Sequence, residues 1–371
     1  MLSYWEREYF LNSPDFVVLG SGIVGLSTAY FIKSKFPNKE VVVLERGFLP
    51  DGASTKNAGF CCFGSVTELA DDLNKWPADQ VYALAEKRFK GLQLLTQLLG
   101  PNNMGYEPFG GYEIFTDKTE FERYFDEAQK LNQVFANSIG QNVYTNAAAQ
   151  INEFGLGQVA GMIKNNYEGQ VKTGQMMQSF LSKVQSLGVK LFYGIEVTQF
   201  EQLNGKVKLH TNRGFSFTTT NFIITTNGFA KQLLPELDVQ PARAQVLITQ
   251  PIEGLKLQGS FHYEQGYYYF RNVGNRVLFG GGRNLDFKTE NTYDEGLTDL
   301  VQNKLDELLK TVILPYTQPV VDMRWSGTMG VGSEKKTIVK PLSQNVYCGV
   351  RMGGMGVALG SLIGKEISEF F

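Results

Sequence analysis

The sequence predicts an α/β protein in which a domain on a parallel sheet joins an α+β domain on an antiparallel sheet. Three observations predict it. Near the N-terminus a short apolar strand, a glycine turn, a helix and a second apolar strand follow one another. The middle of the chain carries strand patterns broken by hairpin signals, and a second glycine-rich turn opens a C-terminal helix. The 371 residues allow two or three cores at roughly 100–200 residues per domain.

Phe16–Leu19 reads as a buried parallel strand, being short, apolar and β-branched. Gly20, Ser21, Gly22, Ile23, Val24 and Gly25 then make a GxGxxG run. Leu26, Ala29, Tyr30 and Ile32 continue at helical spacing, and Val41–Leu44 forms a second buried strand ending in Glu45. This is a Rossmann-like unit. Gly20 permits the tight turn, Gly22 lets the backbone approach a pyrophosphate, and Gly25 lets helix and strand pack closely. The pyrophosphate would sit on the helix N-terminus, where free N–H groups and the dipole favour negative charge. Glu45 lies 20 residues after Gly25, where a carboxylate accepts bonds from ribose hydroxyls. Its charge argues against a 2′-phosphate and so against NADP. The fingerprint alone does not separate NAD from FAD.

Residues 52–60 are rich in glycine, serine and asparagine where a plain NAD domain would continue as helix. Ser54, Thr55 and Asn57 offer partners for phosphate and ring atoms, although the composition also suits a solvated loop. Val81, Leu84, Ala85, Arg88, Phe89 and Leu92 follow a helical period, and residues 110–115 read as a glycine-rich hairpin. From Gln170 the chain returns to helix (Met176, Phe180, Val184, Leu187) and then to a strand at 189–192. Asn204-Gly205 signals a hairpin, and residues 244–249 and 266–282 read as antiparallel strands. A glycine turn at 353–356 opens the last helix, expected over 357–371.

The order LGSGIVGLSTAY, VVVLER, GASTKNAGF resembles the D-amino-acid oxidase/glycine oxidase/sarcosine oxidase superfamily of FAD-dependent oxidoreductases. Residues 170–188, 222–228 and 353–360 extend the resemblance over nearly the whole chain. Ser3-Tyr4-Trp5-Glu6 and the GASxxNxGF loop look most like its γ-glutamylputrescine oxidase-like branch. The resemblance implies a Rossmann-like FAD-binding domain from 1–85, 150–232 and 322–371, interleaved with an antiparallel-sheet substrate domain from 86–149 and 233–321. It implies FAD contacts from the fingerprint residues, Glu45, Arg46, Ala53, Ser54, Thr55, Asn57, Ala58, Gly59, Val197 and Gly228. The C-terminal turn would add Arg351, Gly353, Gly354, Met355, Gly356 and Val357. FAD is expected to be non-covalent, because no histidine lies near these loops and only Cys61, Cys62 and Cys348 offer thiols.

Candidate catalytic residues are Tyr267, Tyr269, Arg271 and Arg351. In a strand, 267, 269 and 271 share one face, where two phenols and a guanidinium would bind a polar or anionic substrate beside a flavin. The same pattern suits a tyrosine ladder packing a half-exposed sheet. Arg351 precedes the glycine turn, where a positive charge would stabilise reduced flavin; a surface arginine is the other reading. Arg243 and Arg324 are weaker candidates, each equally suited to a structural ion pair. The sequence also departs from the family. Met329 stands where glycine oxidases carry a carboxylate-gripping arginine, Met355 where histidine is frequent, and the lysine that sarcosine oxidases place over the flavin has no counterpart.

The expected reaction is hydride transfer from the C–H beside an amine nitrogen to flavin N5, with hydrolysis of the imine and reoxidation by oxygen or another acceptor. Two alternatives stay open: an FAD-dependent 2-hydroxy acid or glycerol-phosphate-type dehydrogenase, and a non-catalytic FAD-bound subunit. Composition narrows the rest. His210 and His262 lack partners at ligand spacing, so no metal site is expected. A net charge of -2 implies no nucleic-acid partner. Without an apolar leader or membrane span, a cytoplasmic enzyme acting on a small-molecule amine or amino acid is expected.

Overall fold

Four apolar residues in succession, Phe16–Leu19, are buried on both faces and so take a central place in a sheet. The computed structural model describes residues 2–371. In it this strand lies between Val41–Leu44 and Asn221–Ile224, both parallel, with Phe16 opposite Val41 on one side and Asn221 on the other. Lys190–Phe192 extends one edge of this six-stranded sheet; Val346–Val350 and the antiparallel Ile338–Ser343 extend the other.

The helix after the glycine turn, Ile23–Lys35, packs against the C-terminal helix Gly356–Ser368, which lies where the sequence predicts it. Two glycines one turn apart set the spacing. A Cβ on Gly360 would stand 2.6 Å from Ile23 Cγ2, and one on Gly364 would stand 2.3 Å from Ser27 Cβ. The Asn204-Gly205 turn joins Val197–Leu203 to Lys206–Thr211 as expected, with Gly205 at φ +75°.

The second sheet has eight strands, in the order Val321–Val331, Gln240–Thr249, Arg276–Gly281, Tyr268–Val273, Ser260–Tyr263, Gly111–Phe115, Gly161–Asn165, Tyr144–Asn146. Two expectations are corrected here. Residues 110–115 are no hairpin. Gly111–Phe115 is one fully buried strand, antiparallel to Gly161–Asn165 and parallel to Ser260–Tyr263. A strand buried on both faces needs a partner on each edge, and both partners are remote in sequence. The expected boundaries at 150 and 322 also move, since Gly161–Asn165 and Val321–Val331 both belong to this second sheet. Sheet pairing is a long-range property that no local pattern at 150 or 322 records. Among the described residues no helix is long and apolar enough to cross a membrane.

Candidate active site

A cavity of about 830 Å³ opens between the two sheets. Its floor is the carboxyl end of the parallel strands, at Leu19, Leu44 and Thr225, and its far wall comes from the second sheet, at Val246, Tyr269 and Met329. Ligands of open α/β sheets bind at such carboxyl ends. The volume falls in the range of about 300–1,000 Å³ usual for small-molecule and cofactor clefts.

The glycine turn behaves as its spacing predicts. Gly20, at φ +103°, and Gly22, Ile23 and Val24 line the cavity at the N-terminus of the helix. Gly25 does not reach it; a Cβ there would sit 1.9 Å from Gly20 O, so this glycine serves helix–strand packing. Ser21 is also turned inward, donating from its N–H and Oγ to Glu45 Oε2 at 3.1 and 2.7 Å. Glu45 still lines the cavity, and its Oε1 accepts from Gly47 N at 3.0 Å. Arg46 lines it too, with its guanidinium 3.8 Å from the centre of the Phe229 ring.

The expected loop at 52–60 holds one helical turn, Ala53–Lys56, wrapped against the fingerprint. Ser54 Oγ accepts from Ile23 N at 3.0 Å, while Asn57 braces the turn by donating to Ser54 O at 2.8 Å and accepting from Gly59 N at 2.8 Å. Ala53, Ser54, Asn57, Ala58 and Gly59 line the cavity. Thr55 does not, because its hydroxyl donates to Gly52 O at 3.1 Å and to Pro50 O. Val197, Gly353, Gly354, Met355, Gly356 and Val357 line it as well. Gly228 lies behind the wall, where a Cβ would meet Met329 O at 2.3 Å.

Tyr267 and Tyr269 face the cavity, while Tyr268 and Phe270 enter the core. The phenol of Tyr269 is pushed up to about 12 by burial and stays a neutral donor. Arg271 shares their face but does not line the cavity. Its Nη1 donates to Gly59 O at 2.9 Å and Val171 O at 2.7 Å, and its Nε to Asn272 O at 3.0 Å. Those carbonyls hold a buried guanidinium that its strand position would otherwise leave unpaired.

Arg351 is corrected too. It sits at φ +66° and its side chain leaves the cavity for Lys336 O, at 2.7 Å, and for the carbonyl and carboxylate of Asp238. Arg243 and Arg324 are structural ion pairs, with Glu290 and Asp306 respectively.

Among the lining residues that sequence reasoning missed are Phe60, Glu68, His262 and Arg283. His262 stands opposite Tyr269 in the antiparallel pair, so the strand pairing itself was the signal. Arg283 follows Gly280-Gly281-Gly282. Its Nη2 donates to Asn291 Oδ1 at 2.7 Å, while Nε is buried without a hydrogen-bond partner among the described residues. Burial lowers its pKa. Arg88 and Lys335 hold the Glu68 carboxyl down at about 2, against the burial that would raise it.

The cavity fits FAD on the chain's own chemistry: a glycine cradle at a helix N-terminus, a carboxylate at the end of the second strand, and a glycine turn opposite. Known proteins agree. The chain is 26% identical over 293 residues to the bifunctional protein ThiO/ThiG of Synechocystis, covering 76% of this chain but only 40% of that longer relative. It is 23% identical over 396 residues to sarcosine oxidase subunit beta of Rhodobacter capsulatus, covering 99% of this chain and 89% of that one. Glycine oxidase from Bacillus cereus superposes with a TM-score of 0.79 at 17% identity, covering 96% of this chain and 94% of that chain. L-proline dehydrogenase from P. horikoshii gives 0.76 at 18% identity, covering 96% and 93%. The family model of FAD dependent oxidoreductases matches residues 15–370, and the chain belongs to that family.

Proposed function

We propose that the protein oxidises the C–N bond of a small amino acid or related amine that bears a carboxylate. The observation that carries this reading is Arg283, a cavity-lining guanidinium whose Nε has no hydrogen-bond partner among the described residues. A substrate carboxylate in the cavity would pair with this guanidinium, in a charge-assisted bond stronger than a neutral one. Arg283 would thereby do the work for which Met329 is unsuited. Relatives named for glycine and sarcosine oxidation, as above, support the same substrate class.

FAD, when bound, supplies the hydride acceptor at N5. The protein's own residues do the rest. Arg283 and Tyr267 orient the substrate, Tyr269 keeps a neutral phenol on the wall, and Phe60 and Met329 keep that region apolar and dry. The amine must be neutral to lose hydride, and the resulting imine hydrolyses in water to a carbonyl compound and an amine. Oxygen or another acceptor then takes the electrons. Burial pushes the Cys61 thiol up to about 12 and that of Cys62 well above its ordinary value, which leaves neither as the reactive thiolate and favours non-covalent FAD.

The test is an anaerobic screen of amines, amino acids and hydroxy acids for bleaching of the flavin. Saturable bleaching by an amino acid, with release of ammonia or an amine, is expected. Bleaching by 2-hydroxy acids or glycerol phosphate alone would establish the dehydrogenase alternative instead. No bleaching by any compound would leave the FAD-bound, non-catalytic subunit.

A further inference from the structure

A second, much smaller cavity of about 10 Å³ lies beside the large one, lined by Ser65, Glu113, Tyr144, Asn165, Glu168 and His262 among others. It has room for about one water molecule. Two buried polar atoms of its lining, His262 Nε2 and Asn165 Nδ2, have no hydrogen-bond partner among the described residues. Glu168 is 2% exposed, and its Oε2 lies 3.9 Å from His262 Nε2, too far for a direct hydrogen bond. Its Oε1 accepts from Phe63 N at 2.9 Å.

His262 belongs to both cavities. Its Nε2 is turned to Glu168, whereas its Nδ1 lies 3.8 Å from the Cβ that Gly266 would carry, and Gly266 lines the large cavity. The imidazole is therefore the wall between them, with one nitrogen toward each.

We propose that this wall is a proton outlet from the large cavity: a water in the small cavity joins His262 Nε2 and Asn165 to Glu168, and the proton shed by the substrate ammonium passes by that route to the Glu168 carboxylate. The inference rests on the amine reading above. In the step, the substrate N–H bond breaks as Nδ1–H forms. The Nε2–H proton passes to the water, the water passes one of its own to the Glu168 carboxylate, and no electrons change hands. The substrate is left as the neutral amine, the form that loses hydride.

The electrostatics suit the direction. Burial holds His262 down at about 4, so the ring rests neutral, with one nitrogen free to accept. Burial raises Glu168 to about 8, so its carboxylate is a proton acceptor stronger than an exposed glutamate. The other titratable groups around the ring are Glu113 and Tyr269 on the neighbouring strands, Tyr144, Cys62, and Glu68 with its partners Arg88 and Lys335. Glu68 is already ionised and paired, which leaves Glu113 and Glu168 as the carboxyls free to change state.

The test uses holoenzyme labelled with ¹⁵N-histidine. With only His210 and His262 there are two imidazoles to resolve, and His210→Gln assigns them. His262 is expected to stay neutral, protonated at Nε2, from about pH 6 to about pH 9. Its nitrogen shifts should show a step near pH 8, apart from any change near pH 7 as Glu113 titrates, and Glu168→Gln should remove the step near pH 8 while keeping an acceptor for Phe63 N. Glu168→Gln should also slow anaerobic bleaching by an active amine about tenfold or more near pH 8, with FAD content unchanged. An imidazole that itself titrates near its ordinary value of about 6.5, or a step near pH 8 that survives Glu168→Gln, overturns the outlet and leaves the amine reading to its own screen. Failure of every amine to bleach the flavin overturns the amine reading, and the outlet's role with it, whatever the spectra show.

Discussion

Arg271 Nη1 donates to the carbonyl of Gly59 at 2.9 Å, joining the second sheet to the loop that lines the FAD cavity. The same nitrogen reaches Val171 O at 2.7 Å, so one buried guanidinium clamps two backbone segments. Burial lowers its pKa to about 10, the cost of holding a charge against carbonyls alone. The residue meets the cavity only through the backbone it grips.

Arg271→Met is therefore expected to loosen the loop rather than alter substrate preference. Loss of the buried bonds should cost about 1–3 kcal/mol of stability and lower FAD retention. Thermal denaturation and the ratio of flavin to protein absorbance check this; unchanged FAD content with altered KM would contradict it.

Gly25→Ala tests the packing reading of the fingerprint. The added methyl would meet Gly20 O at 1.9 Å, and backbone cannot yield as a side chain can. Overpacking of this kind costs about 1–3 kcal/mol or more. The variant should purify with little or no yellow chromophore and a lowered melting midpoint, whereas Gly52→Ala, where a Cβ meets nothing within 4 Å, should be much milder.

Arg283→Ala should raise KM for a carboxylate-bearing substrate by about tenfold to a hundredfold, as expected for about 1.5–3 kcal/mol of charged hydrogen bonding. An amine lacking the carboxylate should be affected little. Steady-state kinetics on such a pair, with FAD content as control, reads the difference.

Buried Glu113 sets a pH dependence. Burial raises its carboxyl to about 7, against bonds from Thr67 that pull it down. The folded protein thus holds a proton that the unfolded chain releases above about 4.5. Its contribution to stability is complete below that value and is lost as pH rises through about 7. His262 acts in the opposite sense, losing stability as pH falls from about 6.5 through about 4. Glu113→Gln should therefore flatten the fall in melting midpoint between about pH 5 and about pH 8, recovering of the order of 1–3 kcal/mol at the upper end.

Much of the cofactor cleft was legible in the chain because its parts are local. Gly20, Gly22 and Gly25 act within one turn, and Glu45 ends the very next strand. Alternation placed Tyr267 and Tyr269 on the cavity side and Tyr268 and Phe270 in the core. It put Arg271 on the right face, but alternation gives a direction and no depth. Arg351 shows the same limit: its sequence neighbourhood pointed to the flavin turn, and its charge was claimed by Asp238, which lies 113 residues away.

By itself the sequence determined the nucleotide-binding unit and the glycine turns that bound the cofactor cleft. Each is set by residues close in the chain. Only the tertiary structure decided which charges face the cleft. It buried Arg271 and Arg351, left Arg283 Nε without a hydrogen-bond partner among the described residues, and set His262 between two cavities beside Glu168. The reason is that an isolated charge in a core must find a partner, and in this fold those partners come from strands and loops remote in sequence.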